Sequence, residues 1–176
     1  MIDEIKMMHG RDYAGQCVNN WLMSEKLNGC RAYWDGQTMW SRGGKEIRIP
    51  DAMRAALPDI PLDGEMYAGR DGYEIARQAV QYGRFTDAVR FVAFDLPGLA
   101  SHPFYHRYGE LAKLLSSAGV VSFARHHCCD INSAVKWMNL IHSFGGEGVV
   151  LRDPDEGYIP GYPSRTLGVL KLKEAP

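Results

Sequence analysis

The sequence predicts an α+β domain built on antiparallel sheets, and three observations lead there. Aromatic runs on either side of Asp35-Gly36 have the pattern of a hairpin. Short apolar stretches bounded by Gly and Pro recur along the chain, and two segments of its second half carry apolar residues at helical spacing. At 176 residues the chain has the length of one domain, with no internal repeat, low-complexity tract or linker.

The hairpin is the clearest local signal. Arg31-Ala32-Tyr33-Trp34 and Gln37-Thr38-Met39-Trp40 flank Asp35-Gly36, a dipeptide favoured in two-residue type I′ turns. Pro50 to Leu57 reads as a short helix opened by its proline and stopped by Pro58, followed by an extended stretch from Pro61 to Tyr67. Tyr73 to Gln81 fits a helix of looser apolar spacing, and Arg90 to Leu96 an apolar strand. Pro103 to Ala118 gathers Phe104, Leu111, Leu114, Leu115 and Ala118 near one helical face before Gly119. Asp130 to Ser143 does the same with Ile131, Val135, Met138 and Ile141 before Gly145. Gly148 to Arg152 and Val169 to Lys173 close the chain as strands.

Composition sets limits on function. With 45% hydrophobic and 23% charged residues the chain is that of a folded globular protein, and no apolar run approaches the roughly 20 residues of a membrane span. Met1 to Lys6 carries acids where an export signal is basic and then apolar, so the expected location is cytoplasmic. Cys17, Cys30, Cys128 and Cys129 follow no disulfide framework and are read as free thiols. A net charge of -1 is not that of a protein with a generally basic surface, so any phosphate-binding cations must be gathered in one groove.

Lys26 is the candidate nucleophile. Ser24-Glu25-Lys26-Leu27-Asn28-Gly29-Cys30-Arg31 places a lysine at a strand end, then a glycine that permits a tight bend, then an arginine. A lysine attacks phosphorus only as the neutral amine, so the site must lower a pKa that starts near about 10.4. Neighbouring cations are the physical means. Lys171 and Lys173, two residues apart on the last strand, share a face, while Leu170 and Leu172 take the other. Glu65 and Glu147 are carboxylates set in apolar strands, the residue type that binds sugar hydroxyls or a divalent cation. Each feature also has a plain structural reading: a surface lysine before a turn, an edge strand guarded by lysines, a solvated glutamate. His126-His127-Cys128-Cys129 lacks a Cys-x-x-Cys partner for zinc, His102 and His106 read as surface residues, and Asp63 with Glu65 has no sugar cleft around it to support a glycosidase pair.

Their order is more specific than any single feature. Glu25-Lys26-Leu27-Asn28-Gly29-Cys30-Arg31, Ser41-Arg42-Gly43-Gly44, Leu62-Asp63-Gly64-Glu65, Phe91-Val92-Ala93-Phe94-Asp95, Glu147-Gly148-Val149-Val150 and Leu170-Lys171-Leu172-Lys173 resemble the ordered motifs of the covalent nucleotidyltransferases. These are the DNA ligases, RNA ligases and mRNA capping enzymes. The run from Ser24 to Gly36, with Gly69-Arg70 downstream, is most similar to the small ATP-dependent DNA ligases of bacteria and their phages.

That resemblance implies an ATP-grasp-like nucleotidyltransferase core spanning 1–176, its sheets flanked by helices and the nucleotide in the cleft between them. It implies that Lys26 takes AMP from ATP as a lysyl adduct and passes it to the 5′-phosphate of nicked double-stranded DNA. Glu25, Arg31, Arg42, Glu65, Phe94, Glu147, Lys171 and Lys173 would contact the nucleotide: Arg31 and Arg42 along the ribose and the incoming 5′-phosphate, Glu65 on the ribose hydroxyls, Phe94 stacked on adenine, the two lysines on the α-phosphate. Glu147, with Glu65, would hold Mg²⁺ or Mn²⁺. A monomer is expected. An RNA ligase, a capping-type enzyme or a weakened nucleotide-binding remnant shares most of these features. The chain departs from the pattern twice: Asn28 stands where the ligases have aspartate, and Pro176 follows three residues after Lys173, so the C-terminal OB-fold domain of such ligases is expected to be absent.

Overall fold

The computed structural model describes residues 7–115, 121–122, 126–161 and 168–175. Their elements, in chain order, are β1 (Arg11–Asp12), β2 (Trp21–Glu25), β3 (Cys30–Trp34), β4 (Met39–Ser41), β5 (Glu46–Ile47), α1 (Asp51–Ala55), β6 (Leu62–Tyr67) and α2 (Tyr73–Tyr82). There follow β7 (Arg90–Asp95), a 3-10 turn (Pro97–Leu99), α3 (Phe104–Leu115), β8 (Val121–Ser122), β9 (His126–Cys128), α4 (Ile131–Ser143), β10 (Val149–Arg152) and β11 (Val169–Leu172).

The strands form two sheets, one of order β1-β11-β10-β2-β9 and one of order β5-β4-β3-β6-β7-β8. Antiparallel pairing dominates, as expected. Two short edge pairings are parallel, β1 with β11 and β7 with β8. The second follows from topology, because the chain returns to β8 only after crossing over through α3, the connection a parallel pair requires.

The hairpin of β3 and β4 forms, but not with the expected turn. Trp34 pairs with Met39, and the Asp35 N–H donates to the Thr38 carbonyl at 3.1 Å, so the reversal centres on Gly36-Gln37. The side chain of Asp35 sets this register: Oδ1 accepts the Gln37 and Thr38 amides at 2.8 and 2.7 Å, and Oδ2 accepts Trp40 Nε1 at 2.7 Å. Gly36 takes φ +105° and Gln37 stays negative, whereas type I′ needs both central residues positive. Helix α4 starts where the sequence marks it, with Asp130 as N-cap in a capping box with Ser133. The far end of the helix expected to Ala118 and the segment Met1 to Lys6 lie outside the described residues.

Each sheet buries one face under helices. Leu151, Leu170 and Leu172 pack with Met138 and Ile141 of α4, and Trp34, Leu62, Met66 and Phe91 pack with Ala79 of α2 and Leu111 and Leu115 of α3. Because side chains alternate along a strand, the intervening residues point the other way, and the two uncovered faces enclose a cleft. At one end the sheets are tied by a buried ionic triad: Asp95 of β7 accepts Arg107 of α3 at 2.7 and 3.1 Å and also binds Arg152 of β10. None of the three side chains is more than 5% exposed. Among the described residues no helix is long and apolar enough to cross a membrane.

Candidate active site

The cleft has a volume of about 460 Å³ and is lined by Lys26, Arg31, Arg42, Glu65, Phe94, Lys171 and Lys173 among others. Such a volume lies within the roughly 300–1,000 Å³ of small-molecule sites. Lys26 enters from the end of β2, where its N–H extends the ladder to β10 by donating to the Gly148 carbonyl at 2.8 Å. The chain then turns through Gly29, where any Cβ would stand 2.3 Å from the Met66 carbonyl oxygen and 2.9 Å from Glu65 Cγ. Only glycine allows the nucleophile's loop to lie this close to Glu65.

Glu147 stands directly beside Lys26. The two side chains form an ion pair, the lysine 19% exposed and lining the cleft, the carboxylate side chain 30% exposed and lining a smaller cavity beside it. Glu25 faces the other way, as the alternation along β2 requires: both of its oxygens accept from Arg70, at 2.8 and 2.9 Å. This pair borders a second cavity of about 120 Å³ next to Lys26, lined also by Asn28, Tyr67 and Gly145 to Glu147.

Glu65 and Arg31 are opposite one another on β6 and β3. Burial pushes the Glu65 carboxyl up to about 7, with Asp63 and Glu147 adding to the rise and Arg31 and Lys26 opposing it. A carboxyl near neutrality can both donate to and accept from a hydroxyl. Arg31 is gripped by Asp63 through Nε at 2.7 Å and Nη2 at 2.6 Å, and its guanidinium lies 4.6 Å from the centre of the Phe94 ring. Burial lowers the affinity of Arg31 for its proton, but the Asp63 carboxylate overrides this and holds the group cationic. On β11, burial pulls the Lys171 amine below the usual lysine range; Lys26, Lys173 and Arg31 pull the same way, and Asp12 opposes them. The expected cationic groove is therefore present in a chain of net charge -1.

A divalent cation has a limited set of donors here. Among the described residues no three His, Cys, Asp or Glu side chains are grouped closely enough to enclose an ion. A single part-exposed carboxylate, Glu147, is the arrangement suited to Mg²⁺, which takes one or two carboxylates and fills its shell with phosphate oxygens and water.

Sequence reasoning brought together the residues of this cleft but gave no role to Asp63, Arg152, Arg70, His9 or Tyr158. Asp63 was visible as a carboxylate within an apolar strand, and Arg107 as a charge on the apolar face of α3 with Phe104, Leu111 and Leu115. Arg152 and His9 line the cleft without any local signal.

The chain is similar to known proteins in sequence and in fold. No family model matches the chain. It is 26% identical over 176 residues to a DNA ligase of Haemophilus influenzae, a match covering 98% of this chain and 64% of that protein. The chain thus spans about two thirds of the length of that relative. Among solved structures, a Lig E DNA ligase superposes with a TM-score of 0.87 at 24% identity, over 99% of this chain and 70% of the other. A Chlorella virus DNA ligase-adenylate superposes at 0.79 with 19% identity, over 96% and 67%. Over the part that it covers, the chain has the fold of these DNA ligases. In sequence, too, the chain resembles a DNA ligase along nearly its whole length.

Proposed function

We propose that this chain is the nucleotidyltransferase core of an ATP-dependent DNA ligase, with Lys26 as the residue that carries AMP. The observation that carries the proposal is the cleft itself: the Lys26 amine stands where Arg31, Arg42, Lys171 and Lys173 converge, with Glu65 and Phe94 in the same wall.

In the first step the Lys26 amine attacks the α-phosphorus of ATP. A P–N bond forms, the bond from that phosphorus to pyrophosphate breaks with its electron pair leaving on pyrophosphate, and the proton of the attacking amine passes to water in the open cleft. The Lys171 and Lys173 ammonium groups neutralise charge that moves onto the phosphate oxygens, the effect that dominates most phosphoryl transfers. Phe94 offers a ring for the purine, and Glu65 the hydroxyl-binding carboxyl for the ribose. Glu147 is the residue to hold a divalent cation; bound there, Mg²⁺ supplies charge neutralisation at the phosphates. The Lys26–Glu147 ion pair must open before the amine can react, and a cation held by Glu147 would compete with Lys26 for that carboxylate. In the second step a 5′-phosphate oxygen of nicked DNA attacks the adenylate, and Lys26 leaves with a proton. The adjacent 3′-hydroxyl then displaces AMP and seals the strand.

The reading is tested with a nicked duplex carrying a labelled 5′-phosphate, supplied with ATP or GTP and Mg²⁺. Sealing, or accumulation of adenylated DNA, with ATP and a DNA nick is the expected result. Transfer with GTP alone, or only to RNA ends, would assign the chain to a different branch of nucleotidyl transfer.

A further inference from the structure

One wall of the cleft is held by a closed ring of hydrogen bonds from four parts of the chain. Arg31 on β3 grips Asp63 on β6 as described, and its Nη2 also donates to the Met8 carbonyl at 2.9 Å. Tyr158, in the connection between β10 and β11, donates its hydroxyl to Asp63 Oδ2 at 2.7 Å and accepts the Met8 N–H at 3.1 Å. Asp63 is fully buried and Tyr158 only 5% exposed, so water does not compete for these bonds. Burial, and then the charge of Asp63, push the Tyr158 hydroxyl well above the usual tyrosine range, which keeps the donated proton in place.

We infer that Tyr158 is a positioning residue for the nucleotide: its hydroxyl fixes the Asp63 carboxylate, which in turn holds the Arg31 guanidinium over Phe94 at the edge of the cleft. The geometry gives the reason. A two-point grip requires the carboxylate plane and the guanidinium plane to coincide, and Asp63 can rotate about its last side-chain bond unless a third partner stops it. Tyr158 is that partner. The same hydroxyl anchors the backbone of Met8, the residue before His9 in the cleft wall. Arg31 Nη1 takes no part in the ring and is the edge left for a ligand. With this wall fixed in advance, binding a nucleotide does not have to order it, and affinity is higher by that difference.

The inference rests on the adenylyl transfer proposed above. Its test is a double-mutant cycle of Tyr158→Phe and Arg31→Met, read by calorimetric affinity for AMP and by the rate of Lys26 adenylation, at a temperature where every variant is folded. Tyr158→Phe is expected to lower AMP affinity about tenfold, the scale of one hydrogen bond to a buried charge, and to slow adenylation. In the Arg31→Met background the same change is expected to do nothing further, because Tyr158 acts through Arg31. A merely structural tyrosine would lower the unfolding midpoint and leave affinity of the folded protein unchanged. That outcome overturns the inference, as does an equal loss in both backgrounds. Asp63→Asn breaks the two-point grip itself and is expected to lower AMP affinity by more than Tyr158→Phe does; an unchanged affinity there overturns the inference as well. If the wild-type protein forms no adduct, the proposed reaction falls, and the AMP affinities still decide the role of Tyr158.

Discussion

Replacing Glu65 with glutamine should make the protein more stable at pH 8 and flatten its stability profile across neutrality. The carboxyl titrates from 4.5 in an unfolded chain and is pushed up to about 7 in the fold, first by burial and then by Asp63 and Glu147. The sign follows from linkage: a raised acid is favoured by the fold in its protonated form. Its contribution is therefore full below pH 4.5 and is lost as pH rises through about 7. The displacement corresponds to about 3 kcal/mol at pH 8. Partial exposure of the side chain reduces this, and about 2 kcal/mol is the expected gain for Glu65→Gln, which keeps the shape and never ionises. Urea unfolding of both proteins at pH 5.5 and pH 8 measures it. Wild type should lose about 1 kcal/mol more than the variant between those pH values, because the part of the contribution that fades between pH 4.5 and 5.5 is already gone at the lower one. An equal loss in the two proteins, or a variant less stable than wild type at pH 8, would refute the argument.

The triad that ties the sheets makes a second prediction: Asp95→Asn leaves Arg107 and Arg152 buried without their anion and should cost about 3–5 kcal/mol in urea unfolding. Lys171 is the more enclosed of the paired lysines, so Lys171→Met should slow adenylation about a hundredfold and Lys173→Met by less, measured in single turnovers with ATP. Phe94→Ala should weaken AMP binding about fivefold, the worth of one aromatic stack, with little change in adenylation rate at saturating ATP.

The parts of the fold legible in the sequence were those set by local pattern. Leu170 and Leu172 alternate with Lys171 and Lys173, and the structure buries the leucines under α4 and turns the lysines into the cleft. Asp130 and Gly145 bracket α4 as caps do. What local pattern does not carry is a partner distant in sequence. The turn of the first hairpin was misread because the Asp35 side chain, not its backbone preference, sets the register. The parallel edge of β1 beside β11 joins residues about 160 positions apart. Tyr158 looks like any loop tyrosine until the fold brings it 2.7 Å from Asp63, 95 residues away. Lys26, Arg31, Arg42, Glu65, Phe94, Lys171 and Lys173 line the cleft as the order of their motifs led us to expect, each motif taken singly also having a structural reading, whereas Glu147 lines the cavity beside it.

Adenylation of Lys26 is the most direct test of the whole account. The protein is incubated with Mg²⁺ and ATP labelled at the α-phosphate, and the product is resolved by denaturing electrophoresis and mass spectrometry. The account predicts one adenylate per chain, labile in acid, mapped to the peptide containing Lys26 and absent from Lys26→Ala. A label that persists in Lys26→Ala, or that maps to another residue, would contradict it.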